Sequence, residues 1–285
     1  ERMIVGETLD HLASFFNFSL DDFIVVAEGS EQNLNESSLI ETDTVLKLCH
    51  NVSMRGERKE SFLVEHGTQL SQVESLSPFC NEQYGIVNGN SETKIVYEPT
   101  HIVTTNMTLE VIKKYCVSVG KPFNVIVYVF PNTTVKQLIN DGLFVLDSFI
   151  AVEKNTANFI NESTVIERDI VIALCHNVSV SGALNQTFIV EHGIALENIS
   201  EFDIFWNNHF TLFNTANASQ VYKKEMLVEC DIVMTIIKSI RVVIDITPTG
   251  DVSTSEVIKT ISEIVGGDPS IVTVDVVRNS EGQVT

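Results

Sequence analysis

Two short strings that contain histidine, cysteine and glutamate each occur twice in this sequence. Leu48–Val52 and Leu174–Val178 both read LCHNV, and Val64–Gly67 and Val190–Gly193 both read VEHG. Imidazole, thiolate and carboxylate groups are zinc ligands, so the repeated strings suggest a possible metal site. In a strand, however, neighbouring side chains point to opposite faces, which separates each cysteine from the histidine after it. We therefore expect the cysteines to be small buried side chains and the histidines to pair across two strands.

An acidic turn recurs three times and offers a second kind of metal chemistry. A glutamate stands two residues before an aspartate in each turn: Glu41 and Asp43, Glu167 and Asp169, Glu229 and Asp231. Carboxylate oxygens are the ligands that calcium prefers, but the spacing of an EF-hand loop is absent. Aspartate side chains also accept backbone hydrogen bonds in turns. We expect these residues to cap turns, and calcium binding is the alternative.

Sequence motifs of common enzymes are absent. Gly120-Lys121-Pro122 lacks the upstream glycine and the following hydroxyl residue of a phosphate-binding loop, and neither Gly-X-Ser-X-Gly nor His-Glu-X-X-His occurs. Four clustered aromatic residues could form a sugar-binding platform but are more typical of a hydrophobic core: Phe205, Trp206, Phe210 and Phe213. The sequence therefore predicts a protein that is not an enzyme and has no resident metal or cofactor.

The composition limits the partners. The chain has 285 residues, 44% of them hydrophobic, and a formal net charge of −20. Such a charge disfavours binding to nucleic acid phosphates or to anionic lipid. No apolar run is long enough to span a membrane. The 5 cysteines leave at least one unpaired within the chain and are too sparse for a disulfide scaffold.

The asparagines indicate where the protein works. The acceptor motif Asn-X-Ser/Thr occurs at Asn17, Asn35, Asn51, Asn106, Asn132, Asn161, Asn177, Asn185, Asn198 and Asn217. Chance would give about four such motifs in a chain of this composition. The excess predicts a secreted, N-glycosylated, extracellular or cell-surface protein. The alternative is that a chain rich in Asn, Ser and Thr forms these motifs by accident.

The chain is an internal repeat. When the sequence is shifted by 126 residues it matches itself without a gap over the region that contains both repeated strings. A fainter period of half that length relates Asp43, Asn106, Asp169 and Asp231. Such a pattern indicates tandem duplication. We predict four related modules of about 60 residues, following from two rounds of duplication.

The third module shows the predicted order of elements. Asn124–Phe130 is apolar and β-branched, which predicts a strand, and apolar residues at helical spacing between Val135 and Gly142 predict a short helix. Asp147–Glu153 is a second strand, and Lys154–Ser163 is a polar loop with at most a short strand. Ile170–Val180 then alternates without a break, so the last strand of one module is expected to become the first strand of the next.

This order resembles the ubiquitin-like β-grasp. Phe149–Val152 stands where that fold has its central strand, and Ile166–Asp169 stands at the turn before its last strand. The resemblance implies an α+β fold made of small β-rich modules with short helices. It implies no conjugation activity, because no diglycine tail is present. An all-β array of immunoglobulin-like sandwiches is the alternative fold.

The repeat divides the chain as follows: module 1 at 1–49, module 2 at 50–116, module 3 at 117–175, module 4 at 176–238, and a C-terminal βαβ segment at 239–285. Module 1 is expected to lack its first strand and much of its second. In modules 2 and 4 the helix is expected to be short or broken, at Gln72–Phe79 and Glu197–Phe205. In the last segment, Arg241–Thr247 and Ile271–Val277 are expected to be strands that flank a helix.

An incomplete module exposes an unpaired sheet edge, which invites a strand from another chain. We expect a head-to-tail homopolymer in which the residues at the two ends take part: Met3, Ile4, Val5, Arg241, Val242, Val243 and Ile244. The alternative is that the missing strands belong to a longer array from which this chain is a piece. The predicted function is a structural subunit of a glycosylated extracellular filament or surface appendage. The other hypotheses are an adhesin or receptor ectodomain and a calcium-dependent surface layer.

Overall fold

The computed structural model describes residues 6–30, 32–40, 44–56, 58–90, 94–239 and 254–265. The chain forms two compact units. Unit 1 contains Glu1–Val117, Ile126–Val135 and Val165–Ile170, and unit 2 contains Ser118–Val125, Lys136–Thr164 and Val171–Thr285. The described part of both units has many strands and few, short helices, which confirms the predicted β-rich class.

The strands of modules 1 and 2 lie in unit 1. They are β1 (Glu7–Thr8), β2 (Ile24–Ala27), β3 (Asn33–Leu34), β4 (Leu39–Ile40), β5 (Leu46–Gly56), β6 (Glu60–Glu65), β7 (Tyr84–Asn88), β8 (Val96–Tyr97) and β9 (Met107–Lys113). Helix α1 covers Leu9–Phe16, and short 3-10 helices cover Leu70–Gln72 and Ser77–Phe79. The main sheet has the order β3-β2-β5-β9-β7-β8, with β6 also paired to β5.

A second sheet follows along the chain. Its strands are β10 (Tyr115–Val119), β11 (Val125–Val129), β12 (Ile150–Glu153), β13 (Phe159–Ile160), β14 (Ile170–Gly182), β15 (Gln186–Glu191), β16 (Phe210–Asn214), β17 (Asn217–Val221) and β18 (Ile232–Lys238). Helices α2 and α3 cover Val135–Asn140 and Thr254–Val265, and 3-10 helices cover Leu196–Asn198 and Ser200–Phe205. The order is β11-β10-β14-β18-β16-β17, with β12 and β15 paired to β14 and β13 paired to β12.

One strand order recurs in each repeat. The five strands from β5 to β9 lie in the spatial order second, first, fifth, third, fourth, and the five strands from β14 to β18 lie in the same order. The first and fifth strands run parallel in both sets, and the other pairs are antiparallel. The strands from β10 to β14 also have this order. The sequence repeat is therefore a repeat of strand topology.

Strands β5 and β14 each belong to two modules. The upstream part of β14 pairs with β12, and the downstream part pairs with β15 and β18. Cys175 is the residue at which β14 passes from one module to the next, because its pairing partners are Ile150 on one side and Glu191 on the other. Cys49 holds the same position in β5, between Ile24 and Glu65. The prediction that the strand from Ile170 continues into the next module is confirmed.

A glycine ends each shared strand for a steric reason. Gly56 and Gly182 have φ angles of +93° and +91°, in the region that favours glycine. A Cβ atom at Gly56 would collide with the carbonyl of Val111, and one at Gly182 would collide with the carbonyl of Ile236. The close approach of the parallel partner strand thus requires glycine at both positions.

Helix α1 is set by its local sequence. The hydroxyl of Thr8 accepts a hydrogen bond from the backbone N–H of His11 and caps the first turn. Asn17 ends the helix with a left-handed φ of 57°. Leu9 and Leu12 lie one helical turn apart on the same face of the helix, and both are buried.

Modules 2 and 4 have separate hydrophobic cores in units 1 and 2. The first core contains Val52, Leu70, Leu76, Val103 and Leu109, and the second contains Val178, Leu196, Phe202, Val228 and Met234. Among the described residues, the helical segments that contribute to these cores are 3-10 helices, and the sequence predicts short or broken helices at Gln72–Phe79 and Glu197–Phe205. Helix α3 matches the predicted helix of the last segment, but the predicted strands Arg241–Thr247 and Ile271–Val277 lie outside the described residues.

In the part of the chain that the structure describes, none of the helices combines the length and the apolar character that crossing a membrane requires.

Candidate functional site

The upstream part of β5 has an open side. In unit 2, the corresponding part of β14 has β12 on one side, and on the other side the N–H of Gly120 donates to the carbonyl of Ile172 at 2.9 Å. Leu46 is the equivalent of Ile172 in the repeat. Strand β2 lies on one side of Leu46, and among the described residues no strand lies on the other. We refer to Leu46–Leu48 as the open half of β5; at its downstream end the carbonyl of Leu48 accepts a hydrogen bond from the N–H of His66 at 2.7 Å, so the opening is centred on Leu46.

The side chains of the open half of β5 are less covered than their equivalents. Ile172 and Leu174 are completely buried, whereas Leu46 and Leu48 are only partly buried. Phe144 is 1% exposed, and its equivalent Phe18 is partly exposed. Covering one such apolar side chain is worth about 1.5–3 kcal/mol. Leu46, Leu48 and Phe18 of module 1 are therefore more exposed than the core residues that stand at the same positions in module 3.

Helix α1 adds a second apolar feature to module 1. Phe15 and Phe16 are 72% and 50% exposed, and their rings contact each other edge to face. Module 3 has Asp141 and Gly142 at these positions. The pair is therefore particular to module 1 and not a property of the repeat.

The repeated histidines form a buried pair in unit 1. His50 on β5 is 2% exposed, and its Nε2 lies 2.9 Å from Nδ1 of His66, directly after β6. The ring of Phe23 lies 5.2 Å from that of His50 and 5.3 Å from that of His66. Nδ1 of His50 is buried without a hydrogen-bond partner among the described residues. Burial and then the neighbouring His66 lower the pKa of His50, while Asp22 opposes this shift.

Unit 2 repeats this pair with one difference. His176 is 3% exposed, and its Nε2 lies 3.0 Å from Nδ1 of His192, with Phe149 against both rings. Here an oxygen of Asp231 lies 3.7 Å from Nδ1 of His176. Burial and His192 lower the pKa of His176, and Asp231 opposes this shift. The predicted cross-strand contact is confirmed in both units.

The cysteines lie apart from these pairs. Cys49 and Cys175 are buried, and burial raises the pKa of Cys175 to about 11, so its thiol stays protonated at neutral pH. A metal needs several ligands on one side of the sheet. The described residues contain no group of three or more potential metal ligands.

The recurring turn residues cap the sheet. The side-chain oxygens of Asn106, Asp169 and Asp231 accept hydrogen bonds from the backbone N–H groups of Asn51, Cys116 and Asn177, each at 2.8 Å. Each contact joins the turn before a fifth strand to the first strand of the same module. The predicted turn capping is confirmed at Asp169 and Asp231, while Glu41 and Asp43 lie outside the described residues. Glu167 and Glu229 are exposed.

Replacing Asp231 with alanine tests the contribution of this cap. The N–H of Asn177 loses its acceptor, so the free energy of unfolding of unit 2 is expected to fall by about 1–2 kcal/mol. Trp206, the only tryptophan, lies in unit 2 and reports on its unfolding in urea. Glu229→Ala is the control, with an expected loss near zero because Glu229 is exposed. Equal losses in the two variants would contradict the capping role.

The sequon asparagines lie at the surface. Nine of the side chains are exposed and Asn177 is partly buried; the exposed ones are Asn17, Asn35, Asn51, Asn106, Asn132, Asn161, Asn185, Asn198 and Asn217. At three of them the side-chain oxygen accepts hydrogen bonds from both the N–H and the hydroxyl of the serine two residues later: Asn35, Asn161 and Asn217. These local turns hold the acceptor motif away from the core.

The aromatic residues of module 4 belong to its core. Phe205 is buried and packs edge to face on Phe210, with 5.0 Å between ring centroids. Trp206 and Phe210 pack against the same core cluster, and Phe213 is partly buried in β16. Phe205, Trp206 and Phe210 therefore lie in or against the core of module 4, as the sequence predicts.

The sequence matches no protein-family model, and none of the curated proteins matches it either. The repeat and its geometry are therefore the basis for a proposal about function. The predicted assembly residues Met3, Ile4, Val5, Arg241, Val242, Val243 and Ile244 all lie outside the described residues. Sequence reasoning missed the open half of β5 as a specific site. The signal was present, because Lys47 falls on the buried Ala173 when the repeat is aligned.

Proposed function

We propose that this protein is a structural subunit of an extracellular, N-glycosylated filament or surface appendage, and that copies join head to tail. In this proposal a strand from one copy completes module 1 of the next. The protein has a structural role and no catalytic one. Its partner is a second copy of the same chain.

The observation that carries the proposal is the open half of β5. An uncovered strand with unpaired backbone groups is a template for another strand. Module 3 supplies the pattern for what fits there, because β10 is the continuation of β9 and lies beside β14. A subunit that accepts this strand in module 1 and offers it at its other end joins head to tail, and such contacts form an open filament when the rotation between copies does not close a ring.

The sequence after β18 has the pattern of such a strand. Val117 and Val119 on β10 are buried and alternate with polar or partly exposed neighbours. The segment Arg241–Ile244 places Val242 and Ile244 at the same spacing after β18. Met3–Val5 corresponds in the repeat to Val129–Pro131, the end of the neighbouring strand. The assembly residues are thus the natural candidates to form the joint between copies.

We further infer that each module is a β-grasp and not an immunoglobulin-like sandwich. The support is the strand order second, first, fifth, third, fourth, together with parallel first and fifth strands. A crossover between parallel strands passes over one face of the sheet and carries a helix or its remnant there. Helix α2 and the 3-10 helices lie in these crossovers along the chain.

The sequons support an extracellular location. A glycan requires an accessible asparagine, and the sequon side chains are exposed with the exception of Asn177. Attached glycans would prevent sheet edges of neighbouring filaments from pairing side by side, while leaving the joint between copies free. A net charge of −20 would add repulsion between neighbouring filaments.

A binding module such as an adhesin is the second candidate. The favouring observation is a surface pocket that recurs in modules 2 and 4, lined by Phe79, Tyr84 and Tyr97 in one and by the equivalent Phe205, Phe210 and Tyr222 in the other. Purely monomeric protein with a bound ligand in these pockets would favour this candidate over the filament.

Deletion of Ser239–Thr285 tests the filament. Natively purified full chain is expected to form filaments in electron micrographs, with extra density on sequon side chains. The deletion variant is expected to be monomeric with unchanged hydrogen-exchange protection in β5 to β18, since it loses the donor segment and helix α3 but none of these strands. Filaments of the deletion variant, or monomers of the full chain with bare asparagines, would contradict the proposal.

A further inference from the structure

The two histidine pairs lie where one module meets the next. Phe23 directly precedes β2 of module 1, and it packs on His50 and His66 in the first hairpin of module 2. Phe149 has the same relation to β12 of module 3 and to the hairpin of module 4. Each pair therefore connects an aromatic residue of one module to the shared strand and the following hairpin.

Each pair has room for one proton between the two rings. Nε2 of His50 and Nδ1 of His66 are 2.9 Å apart, so one nitrogen must carry hydrogen and the other must present a lone pair. When both imidazoles are protonated, two N–H groups face each other and the hydrogen bond is lost. Two positive charges then lie in contact inside a buried site, which is strongly unfavourable.

We propose that the histidine pairs make both module joints acid-sensitive, and that the joint in unit 1 opens at a higher pH than the joint in unit 2. The inference follows from the joint between modules within one chain, so it does not depend on the filament. Acid would loosen β5 and β6 from Phe23 while the cores of the modules stay packed.

The direction follows from proton counting. In the unfolded chain His50 and His176 titrate near the ordinary pKa of histidine, about 6.5. The folded chain takes up fewer protons, because burial and the neighbouring ring lower the pKa of His50 and of His176. Because the unfolded state binds more protons, a fall in pH stabilises it relative to the folded state. The stability of the joints is therefore full above pH 7 and decreases as the pH falls through about 6.5.

The order of opening follows from the charges around each pair. Nδ1 of His176 has an oxygen of Asp231 at 3.7 Å, which can stabilise a proton there. Unit 1 has the neutral Asn106 at the equivalent position, and Nδ1 of His50 is buried without a described partner. Asp22 also favours protonation of His50, but its effect on the pKa is smaller than the opposing effects of burial and His66.

Lys121 is a charged side chain that lies close to Gly193, the residue after His192. The charged group that acts on the pKa of His176 is the Asp231 carboxylate, which lies 3.7 Å from Nδ1. Asp231 therefore sets the difference between the units.

Hydrogen exchange of the full chain at pH 7.5 and pH 5.0 tests the proposal, with exchange times scaled for the intrinsic rate at each pH. For each proton that the unfolded joint binds and the folded joint does not, the hydrogen-exchange protection of the joint is expected to be lower by up to roughly 30-fold at pH 5.0. The wild type is expected to lose protection more strongly in β5 and β6 than in β14 and β15. Equal losses, or an earlier loss in unit 2, would overturn the predicted order.

Variants separate titration from general acid effects. His50→Gln combined with His66→Gln keeps hydrogen-bonding side chains that do not titrate, and β5 and β6 are then expected to keep their protection at pH 5.0.

Asp231→Asn retains an acceptor for Asn177, as Asn106 does for Asn51, and is expected to make unit 2 as acid-sensitive as unit 1. Asn106→Asp is expected to have the opposite effect on unit 1. An unchanged acid response in the last two variants would overturn the proposal even if the double variant does not fold.

Discussion

Replacement of Leu46 by proline is expected to abolish head-to-tail polymers of the full chain while unit 1 stays folded. The backbone of Leu46 points away from β2, because the adjacent Val45 carbonyl is the one that accepts from the N–H of Glu28. Proline at Leu46 removes an N–H that faces no other strand among the described residues and that an added strand would use. Proline is tolerated at strand edges. Sedimentation and electron microscopy at subunit concentrations well above the wild-type threshold measure the result.

The matched control is Lys47→Pro. The backbone of Lys47 faces β2 and pairs with Val26, so this change breaks an existing ladder bond and is expected to destabilise unit 1 itself. Hydrogen exchange of β2 distinguishes the two effects. Wild-type polymers of a folded Leu46→Pro variant would show that the open half of β5 is not the joint.

Truncation of Leu174 to alanine is expected to cost far more than the same change at Leu48. Leu174 is completely buried in unit 2, and removal of such a side chain costs about 2–5 kcal/mol in cavity and transfer terms. Leu48 is only partly buried in unit 1, so the monomer is expected to lose roughly 1 kcal/mol or less. Hydrogen exchange in β14 and in β5 measures both losses in monomeric protein.

The cost of Leu48→Ala is expected to be larger in the polymer than in the monomer. If a donor strand covers Leu48 in the polymer, Leu48→Ala is expected to weaken assembly and to approach the cost of Leu174→Ala there. Val178 is buried equally with its equivalent Val52, so Val178→Ala and Val52→Ala form a matched control pair with similar losses expected. Equal losses at Leu48 and Leu174 in the monomer would contradict the incomplete module.

Much of the fold could be predicted from the sequence because the repeat samples the same topology several times. Alternating apolar residues identify β11 and β14, and the alignment of Asn106, Asp169 and Asp231 identifies turns whose capping bonds the structure contains. The opposite faces of Cys49 and His50 follow from strand geometry alone.

The sequence predicts an exposed sheet edge in module 1, but the position of that edge at Leu46–Leu48 of β5 could not be predicted in the same way. Strand propensity shows that Leu46 lies in a strand, but it does not show which neighbours are absent, because pairing partners are distant in sequence. The protonation contrast between the units also needed coordinates, since the 3.7 Å contact between His176 and Asp231 depends on side-chain packing across a parallel pair. Exposure of Phe15 and Phe16 is likewise a consequence of tertiary structure.

Because β5 is shared by modules 1 and 2 and β14 is shared by modules 3 and 4, no flexible linker separates the two modules of either pair. A β-strand already extends by about 3.3 Å per residue, close to the limit of the backbone. Tension along the chain is therefore transmitted from module 1 to module 2 through the extended backbone of β5, and from module 3 to module 4 through the extended backbone of β14. Neither pair can lengthen until lateral hydrogen bonds to β9 or β18 break, so each pair resists tension as a single element.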